Sequence, residues 1–179
     1  MENFLKSLEL EAAAHRRLVQ PVRPEEMKGL KFENFIFRMI SRLEDMEVVS
    51  RSADYKLSTH GGRLDQRSRK PDLFVRVRFG FFKPACWIEC KYRSRGDLRI
   101  RMGKIKDYVK AGNDEFCPVF ILFGAGGMPE KPEDLFLIPI GDIVSGKAAR
   151  FSQEKFMINA SALQDYKIEP VRIAHELKK

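Results

Sequence analysis

One hairpin-like segment, KPDLFVRVRFGFFKPACWIECKYR, constrains the fold of this chain more than any other stretch. Two apolar runs flank the turn-forming residues GFFKP, which predicts a β-hairpin with strands at 71–79 and 85–92. Nevertheless, Asp72 lies at the start of the first strand, and Glu89 and Lys91 lie within the second. Because burying an unpaired ion is costly, these charges either face water or serve a chemical purpose.

The alternation of side chains along the second strand brings its two charged residues together. Alternate residues share one face of a strand, so Glu89 and Lys91 point to the same side as Trp87. The acid-x-Lys pattern occurs five times in the chain, but only here does it lie in an apolar strand that follows a Pro-Asp dipeptide. With a suitable register, Asp72 meets both residues. The opposite, mostly apolar face carries Cys86, Ile88, Cys90 and Tyr92.

A further acid comes from the helix that we predict from Pro24 to about Asp45. On a helical wheel its apolar residues form a continuous arc, and Glu33 falls inside that arc. A carboxylate on the core-facing side is costly unless it is protonated, paired or bound to a metal. A salt bridge to an arginine at the edge of the arc is the alternative explanation.

The remaining elements predict an α/β fold in which a mixed sheet has helices on its flanks. We expect a single domain over residues 1–179. The expected elements are a helix at 2–19, a strand at 46–53, a basic loop at 54–70, a helix from Asp97 to about Ala111, buried strands in CPVFILFG and LFLIPI, a short helix after Gly141, an uncertain strand near Phe156 and a final helix from Pro170.

The composition describes an ordinary globular protein of 179 residues with a net charge of +8. A positive charge of this size favours a polyanionic partner, of which nucleic acid is the commonest. Cys86, Cys90 and Cys117 are too few and too scattered for a disulfide framework or a zinc site. We find neither a signal peptide nor a membrane-spanning run, and we therefore expect a cytoplasmic protein without a membrane partner.

Taken together, these features resemble the PD-(D/E)xK nuclease superfamily. The shared order is a helix glutamate at Glu33, then Pro71-Asp72, sixteen intervening residues, and Glu89-Cys90-Lys91 in a strand. Residues 28–124 most resemble the archaeal Holliday junction resolvases and the related Mrr-type restriction nucleases, through the segments EVVSRSAD, KPD and IECKYR. The loop at 54–70 is long and residues 125–179 have no counterpart in the pattern, so the subtype stays open.

The resemblance implies a restriction-endonuclease-like core of αβββαβ order at 24–140, with extensions at 1–22 (helical) and 141–179. It implies a homodimeric endonuclease that hydrolyses DNA phosphodiester bonds with Mg²⁺ or Mn²⁺. Hard oxygen ligands suit these ions better than zinc. It also implies that a residue within 106–108 lies near the active site, without indicating which one.

The resemblance further assigns roles to individual residues. It implies that Asp72 and Glu89 bind the metal, with the backbone carbonyl of Cys90 as a third ligand. Glu33 would bind the metal directly or through water. Lys91 would orient or stabilise the attacking hydroxide and offset the phosphate charge.

Two basic groups are candidates for holding a phosphate backbone, one in the loop before Asp72 and one on the helix after the motif. An ordinary solvated face is the alternative for the helix, and disorder is the alternative for the loop. The candidates are Arg63, Arg67, Arg69 and Lys70 in the loop, Arg93 and Arg95 between the two groups, and Arg99, Lys106 and Lys110 on the helix.

Several other functions stay open from the sequence. A nuclease-fold module that binds nucleic acid without cutting it is the first, although no motif residue is missing. A restriction or repair nuclease that acts on duplex DNA or on RNA is the second, since no base-reading motif distinguishes RNA from DNA. A purely structural basic protein is the third, and in it the Glu89–Lys91 pair would be a weak surface salt bridge.

Overall fold

The computed structural model describes residues 23–52, 70–78, 84–95 and 97–177. The strands are β1 (Met46–Arg51), β2 (Leu73–Val77), β3 (Ala85–Arg93), β4 (Leu98–Arg101), β5 (Val119–Ala125), β6 (Asp134–Pro139), β7 (Arg150–Ser152) and β8 (Lys155–Ile158). The helices are α1 (Pro24–Ile40), α2 (Met102–Asp114), α3 (Ile140–Val144) and α4 (Ile173–Glu176). Short 3₁₀ turns lie at Ala160–Ala162, Gln164–Tyr166 and Pro170–Arg172.

Five strands form a central mixed sheet in the order β1-β2-β3-β5-β6. The pairs β1–β2, β2–β3 and β5–β6 are antiparallel, whereas β3 and β5 are parallel. A parallel pair needs a crossover connection, and α2 lies within it. β3 is therefore hydrogen-bonded on both sides, which holds the charged strand in a rigid setting.

Helices cover both faces of this sheet and define two apolar cores. On one face, Phe32 and Ile36 of α1 pack with the β3 residues Ile88 and Tyr92. On the other face, α2 contributes a buried stripe whose middle residue is Tyr108. The predicted division of β3 into two faces is thus confirmed, because Trp87 lies in the second core. No helix within the described ranges is long and apolar enough to span a membrane.

Gly124 on β5 marks the point where α1 approaches the sheet most closely. A Cβ atom at this position would collide with the ring of Phe32, which is itself fully buried. The absence of a side chain at Gly124 therefore lets α1 sit directly on β5. This close approach positions the neighbouring helix residue, Glu33, over the end of the hairpin.

A second sheet of three strands, in the order β4-β8-β7, corrects one of our predictions. We predicted a helix from Asp97, but residues 98–101 form β4 and the helix begins only at Met102. Leu98 and Ile100 are buried while Arg99 and Arg101 are exposed, which is the period-two pattern of a strand. The reason is long-range: β4 pairs with β8, which lies more than fifty residues further along the chain.

Two predicted helices are shorter than expected. α1 ends at Ile40 instead of near Asp45, because Glu44 and Asp45 would bring negative charge to the negative end of the helix dipole. The final helix is reduced to a 3₁₀ turn followed by α4. The strands predicted in CPVFILFG, in LFLIPI and near Phe156 are confirmed as β5, β6 and β8. The helix predicted at 2–19 and the loop at 54–69 lie outside the described residues.

Candidate active site

The register of the hairpin formed by β2 and β3 aligns the charged residues of the two strands. Leu73 pairs with Ile88, so the preceding residue, Asp72, falls opposite Glu89. The backbone N–H of Cys90 donates a hydrogen bond of 2.7 Å to Oδ2 of Asp72, which fixes this carboxylate against β3. Asp72 and Glu89 therefore lie opposite each other on the paired strands, as the sequence pattern predicted.

Asp72 is a half-buried carboxylate with other negatively charged side chains nearby. Burial, followed by the nearby charges of Glu89 and Glu33, raises the pKa of Asp72 well above its usual value. The ammonium group of Lys91 and the N–H of Cys90 act in the opposite direction without cancelling this effect. An added cation would offset the nearby negative charges and so stabilise the ionised form of Asp72.

Glu89 and Lys91 form an ion pair along the same face of β3. Glu89 is 3% exposed, whereas the side chain of Lys91 keeps 31% of its surface. Although burial favours the neutral amine, the carboxylates of Glu89 and Asp72 raise the pKa of Lys91 above its ordinary value. Lys91 is therefore a cation with one side towards solvent, and it can still reach an incoming anion.

Glu33 is buried and paired, as the salt-bridge alternative required, but its partner comes from β1 and not from the helix arc. Arg51 donates from Nη2 and Nε to Oε1 of Glu33, at 2.5 and 3.2 Å. The same guanidinium donates to Oδ1 of Asn34 at 3.0 Å and lies over the ring of Phe37. Since Glu33 also raises the pKa of Asp72, this pair lies at the edge of the carboxylate cluster.

Tyr108 is a member of the cluster that sequence reasoning placed within a three-residue stretch but did not single out. It is 1% exposed on the buried face of α2, and its hydroxyl hydrogen-bonds Glu89. Burial and the charge of Glu89 raise the pKa of Tyr108, so the hydroxyl keeps its proton and serves as a donor. Its spacing three residues after Ile105 on the apolar stripe was the available signal, because a buried tyrosine needs a partner for its hydroxyl.

Comparison with known proteins places this arrangement in a fold. No protein-family model matches the sequence, and no curated protein matches it. The structure matches that of Hjc, a Holliday junction resolvase from the archaeal hyperthermophile Archaeoglobus fulgidus. The TM-score is 0.56 at 15% sequence identity, and the match covers 83% of this chain and 96% of that chain. The chain has a restriction-endonuclease-like fold.

Two acidic side chains of the cluster have cationic partners within this fold. Glu33 is engaged by Arg51 and Glu89 by Lys91. Among the residues that the structure describes, no three His, Cys, Asp or Glu side chains already stand in the positions needed to hold a metal ion. The side chain of Cys90 points into the core on the α1 face, where burial raises the pKa of its thiol.

The basic residues predicted to hold nucleic acid are distributed over several elements of this fold. Lys70 pairs with Glu115 at 3.0 Å, and Lys110 pairs with Asp114. We predicted Arg99 on one helix arc with Lys106 and Lys110, but Arg99 lies on β4 because the helix begins at Met102. Arg63, Arg67 and Arg69 lie outside the described residues, Arg95, Arg99 and Lys106 are exposed, and Arg93 donates to the carbonyl of Tyr92.

A groove of about 590 Å³ along the outer side of α1 was not expected from the sequence. Asn34 lies in its wall and accepts a hydrogen bond from Arg51, so the groove adjoins the Glu33 end of the cluster. Both Arg38 and Arg42 line it and are exposed. Its floor and rim are otherwise formed by Lys31, Phe35, Met39, Leu43, Glu130 and Pro170.

Proposed function

We propose that this protein is a metal-dependent endonuclease that hydrolyses phosphodiester bonds in DNA. The observation that carries the proposal is the alignment of Asp72 opposite Glu89, with Lys91 beside them, by the register of one hairpin in a restriction-endonuclease-like fold. The fold match to a Holliday junction resolvase supports a four-way junction as the substrate to test first. Duplex cleavage of the restriction or repair type is the second.

The donor set of the site fits a hard divalent cation. Asp72, Glu89 and Glu33 supply three carboxylates, and Arg51 and Lys91 supply only two positive charges. The negative charges that raise the pKa of Asp72 are those that a cation would offset. Carboxylate oxygens suit Mg²⁺ or Mn²⁺, and Asp72 and Glu89 would hold the ion with the carbonyl of Cys90 and with Glu33. When bound, the metal supplies Lewis-acid activation of the phosphate and of water.

The remaining residues of the site would bind the phosphate, orient the carboxylates and neutralise charge. Lys91 is a partly exposed ammonium, and it would contact the scissile phosphate and stabilise the charge that develops there. Tyr108 donates to Glu89 and so holds that carboxylate in one orientation. Arg51 holds Glu33 over the hairpin. Phosphoryl transfer of this kind depends on positioning and electrostatics, so a covalent nucleophile is not needed.

The deciding experiment compares cleavage of labelled four-way junction, duplex and single-stranded DNA, and of duplex RNA, by wild type and by Lys91→Ala. Reactions contain Mg²⁺, Mn²⁺ or a chelator. Wild type is expected to cut one of these substrates only with metal. Lys91→Ala is expected to lose about 100-fold in rate or more, since it removes a charge that stabilises the transition state. The substrate that is cut fastest defines the subtype.

Lys167→Ala is the matched control, because Lys167 also pairs with an acid, Asp134, but lies outside the cluster. It is expected to cut at the wild-type rate. Metal-independent cutting, or equal rates for Lys91→Ala and Lys167→Ala, would contradict the mechanism. Wild-type binding without any cutting would instead identify a nucleic-acid-binding module on a nuclease scaffold.

Two further parts of the proposal concern assembly and location. A homodimer is expected, because paired subunits commonly make the two strand cuts in the superfamily that this chain resembles. Sedimentation of the protein at micromolar concentration tests it, and a monomer that cuts both strands would overturn it. A cytoplasmic location is the other part, and fractionation of the source cells tests that.

A further inference from the structure

The sheet of β4, β8 and β7 has one buried face and one exposed face. Leu98 and Ile100 of β4 and Phe156 and Ile158 of β8 are buried in the α2-side core. Since side chains alternate along a strand, the intervening residues point the other way. We call this exposed surface the outer basic face, and its cations are Arg99, Arg101, Arg150 and Lys155.

The strand register arranges these cations in two adjacent rows. Arg99 and Arg150 both pair with Met157 of β8, so the first row carries a cation at each end. Arg101 pairs with Lys155, so the second row carries two cations side by side. Strands lie about 4.8 Å apart and rows about 6.6 Å apart, so the four Cα atoms lie within about 12 Å of one another.

The charge of the outer basic face is uncompensated. None of its four cations has an ion pair or a side-chain hydrogen bond within the part of the chain that the structure describes. The nearest acids in sequence are Asp97, before β4, and Glu154, in the turn between β7 and β8. The cations outnumber these acids, and such a cluster on a solvent-facing sheet attracts a polyanion.

The outer basic face is fixed relative to the candidate active site. The backbone N–H of Met102 donates to the carbonyl of Glu154 at 2.9 Å, which ties the β7–β8 hairpin to the start of α2. The same helix carries Tyr108, whose hydroxyl bonds Glu89. A polyanion held on this face would therefore be held at a set distance from the carboxylate cluster.

We propose that the outer basic face binds the sugar-phosphate backbone of the nucleic acid, as a contact separate from the site where the bond is cut. This inference rests on the proposed function and extends it to a second surface. Arginine and lysine contact phosphates without reading sequence, so the face would add affinity and orientation and not base preference. Each such contact releases counterions and steepens the salt dependence of binding.

The test measures binding of labelled duplex DNA and duplex RNA in chelator, over a series of salt concentrations. The variant Arg99→Gln/Arg150→Gln removes one cation from each outer strand, and Arg101→Gln/Lys155→Gln removes the other two. The matched control, Arg76→Gln/Lys167→Gln, removes two cations that are paired with Glu47 and Asp134. Each face variant is expected to weaken binding about tenfold or more and to lower the slope of log K against log salt by about 2.

The outcomes separate this inference from the proposed function. The inference is supported if wild type and the control variant bind alike and only the two face variants show a lower slope of log K against log salt. Comparison of DNA with RNA then identifies the nucleic acid. Face variants that bind like the control overturn it and leave the proposed function intact. No wild-type binding to either duplex overturns this inference, and the cleavage assay with metal then decides the proposed function separately. Binding to vesicles that contain phosphatidylserine is measured for the same proteins. If the face variants lose vesicle binding but bind nucleic acid like wild type, the inference is overturned in favour of a lipid surface.

Discussion

The hydroxyl of Tyr108 links α2 to the carboxylate cluster. Tyr108→Phe removes the donor to Glu89 and leaves the packing of the ring in place. Residues that orient a metal-binding carboxylate typically contribute about 10- to 100-fold in metal affinity or activity. We therefore expect Tyr108→Phe to cut more slowly by that factor and to need more Mg²⁺ for half-maximal rate, as measured by cleavage across a Mg²⁺ titration.

Tyr166→Phe provides the control, because its hydroxyl donates to Asp142 at 2.9 Å, an acid of α3 that is not part of the cluster. This variant is expected to cut like wild type at every Mg²⁺ concentration. If both tyrosine variants behave alike, Tyr108 has only a packing role and does not orient Glu89.

Arg51 and Glu33 form a second pair that can be tested residue by residue. Their side chains are 13% and 10% exposed, so Arg51→Met takes a positive charge away from a nearly buried carboxylate. We expect the free energy of unfolding to fall by about 3 kcal/mol in Arg51→Met, and by less in Arg51→Met/Glu33→Gln, where the carboxylate is neutral. Urea denaturation of both variants measures the difference.

The exposed pair of Arg76 with Glu47 serves as the comparison for this cycle. Its atoms are 3.7 Å apart and its side chains are 35% and 43% exposed, so Arg76→Met is expected to cost less than about 1 kcal/mol. An equal loss in Arg51→Met and in the double variant would show that the charge left on Glu33 in Arg51→Met adds no cost, and it would contradict the prediction.

At the level of elements, local sequence patterns predicted the pairing of strands that are close in sequence. They missed a strand, β4, that forms only by pairing with a distant one. The meeting of Asp72 with Glu89 was predictable because β2 and β3 follow each other closely in sequence and pair antiparallel. β4 was not, because residues 98–101 also fit a helical stripe and only pairing with β8 decides between the two. Arg51 and Tyr108 reach the site from other elements. The helical spacing of Tyr108 indicated that its side chain is buried, but no local pattern indicated which acid either residue contacts.

The packing of α1 on β5 gives the prediction at this scale. Gly124→Ala would drive a methyl group into the buried ring of Phe32, and overpacking of this kind costs about 1 to 3 kcal/mol. Since α1 also carries Glu33, the displaced helix is expected to slow cleavage as well. Gly29→Ala, in the same helix, meets nothing within 4 Å and is expected to stabilise by about 0.5 to 1 kcal/mol. Thermal melts and cleavage rates of the two variants together separate packing from helix propensity.

For the molecule as a whole, the region after residue 140 is part of both cores, although the resemblance gave no counterpart for it. Ile158 and Leu163 are buried on the α2 side of the sheet. Ile168, Ile173 and Leu177 are buried on the α1 side, with Phe32 and Ile88. The chain from residue 141 onwards thus covers apolar surface on both faces, and this supports the expectation of a single domain.

Removal of residues 141–179 is therefore expected to abolish cooperative unfolding, because it uncovers both faces of the central sheet at once. Ile173→Ala is the milder test: the side chain is fully buried, and its truncation is expected to cost about 2 to 4 kcal/mol while the folded fraction still cuts. Denaturant titrations of both proteins measure these effects. A fragment ending at residue 140 that unfolds cooperatively and cuts DNA would contradict this prediction. It would show that the catalytic core folds alone and that residues 141–179 are not required for its stability.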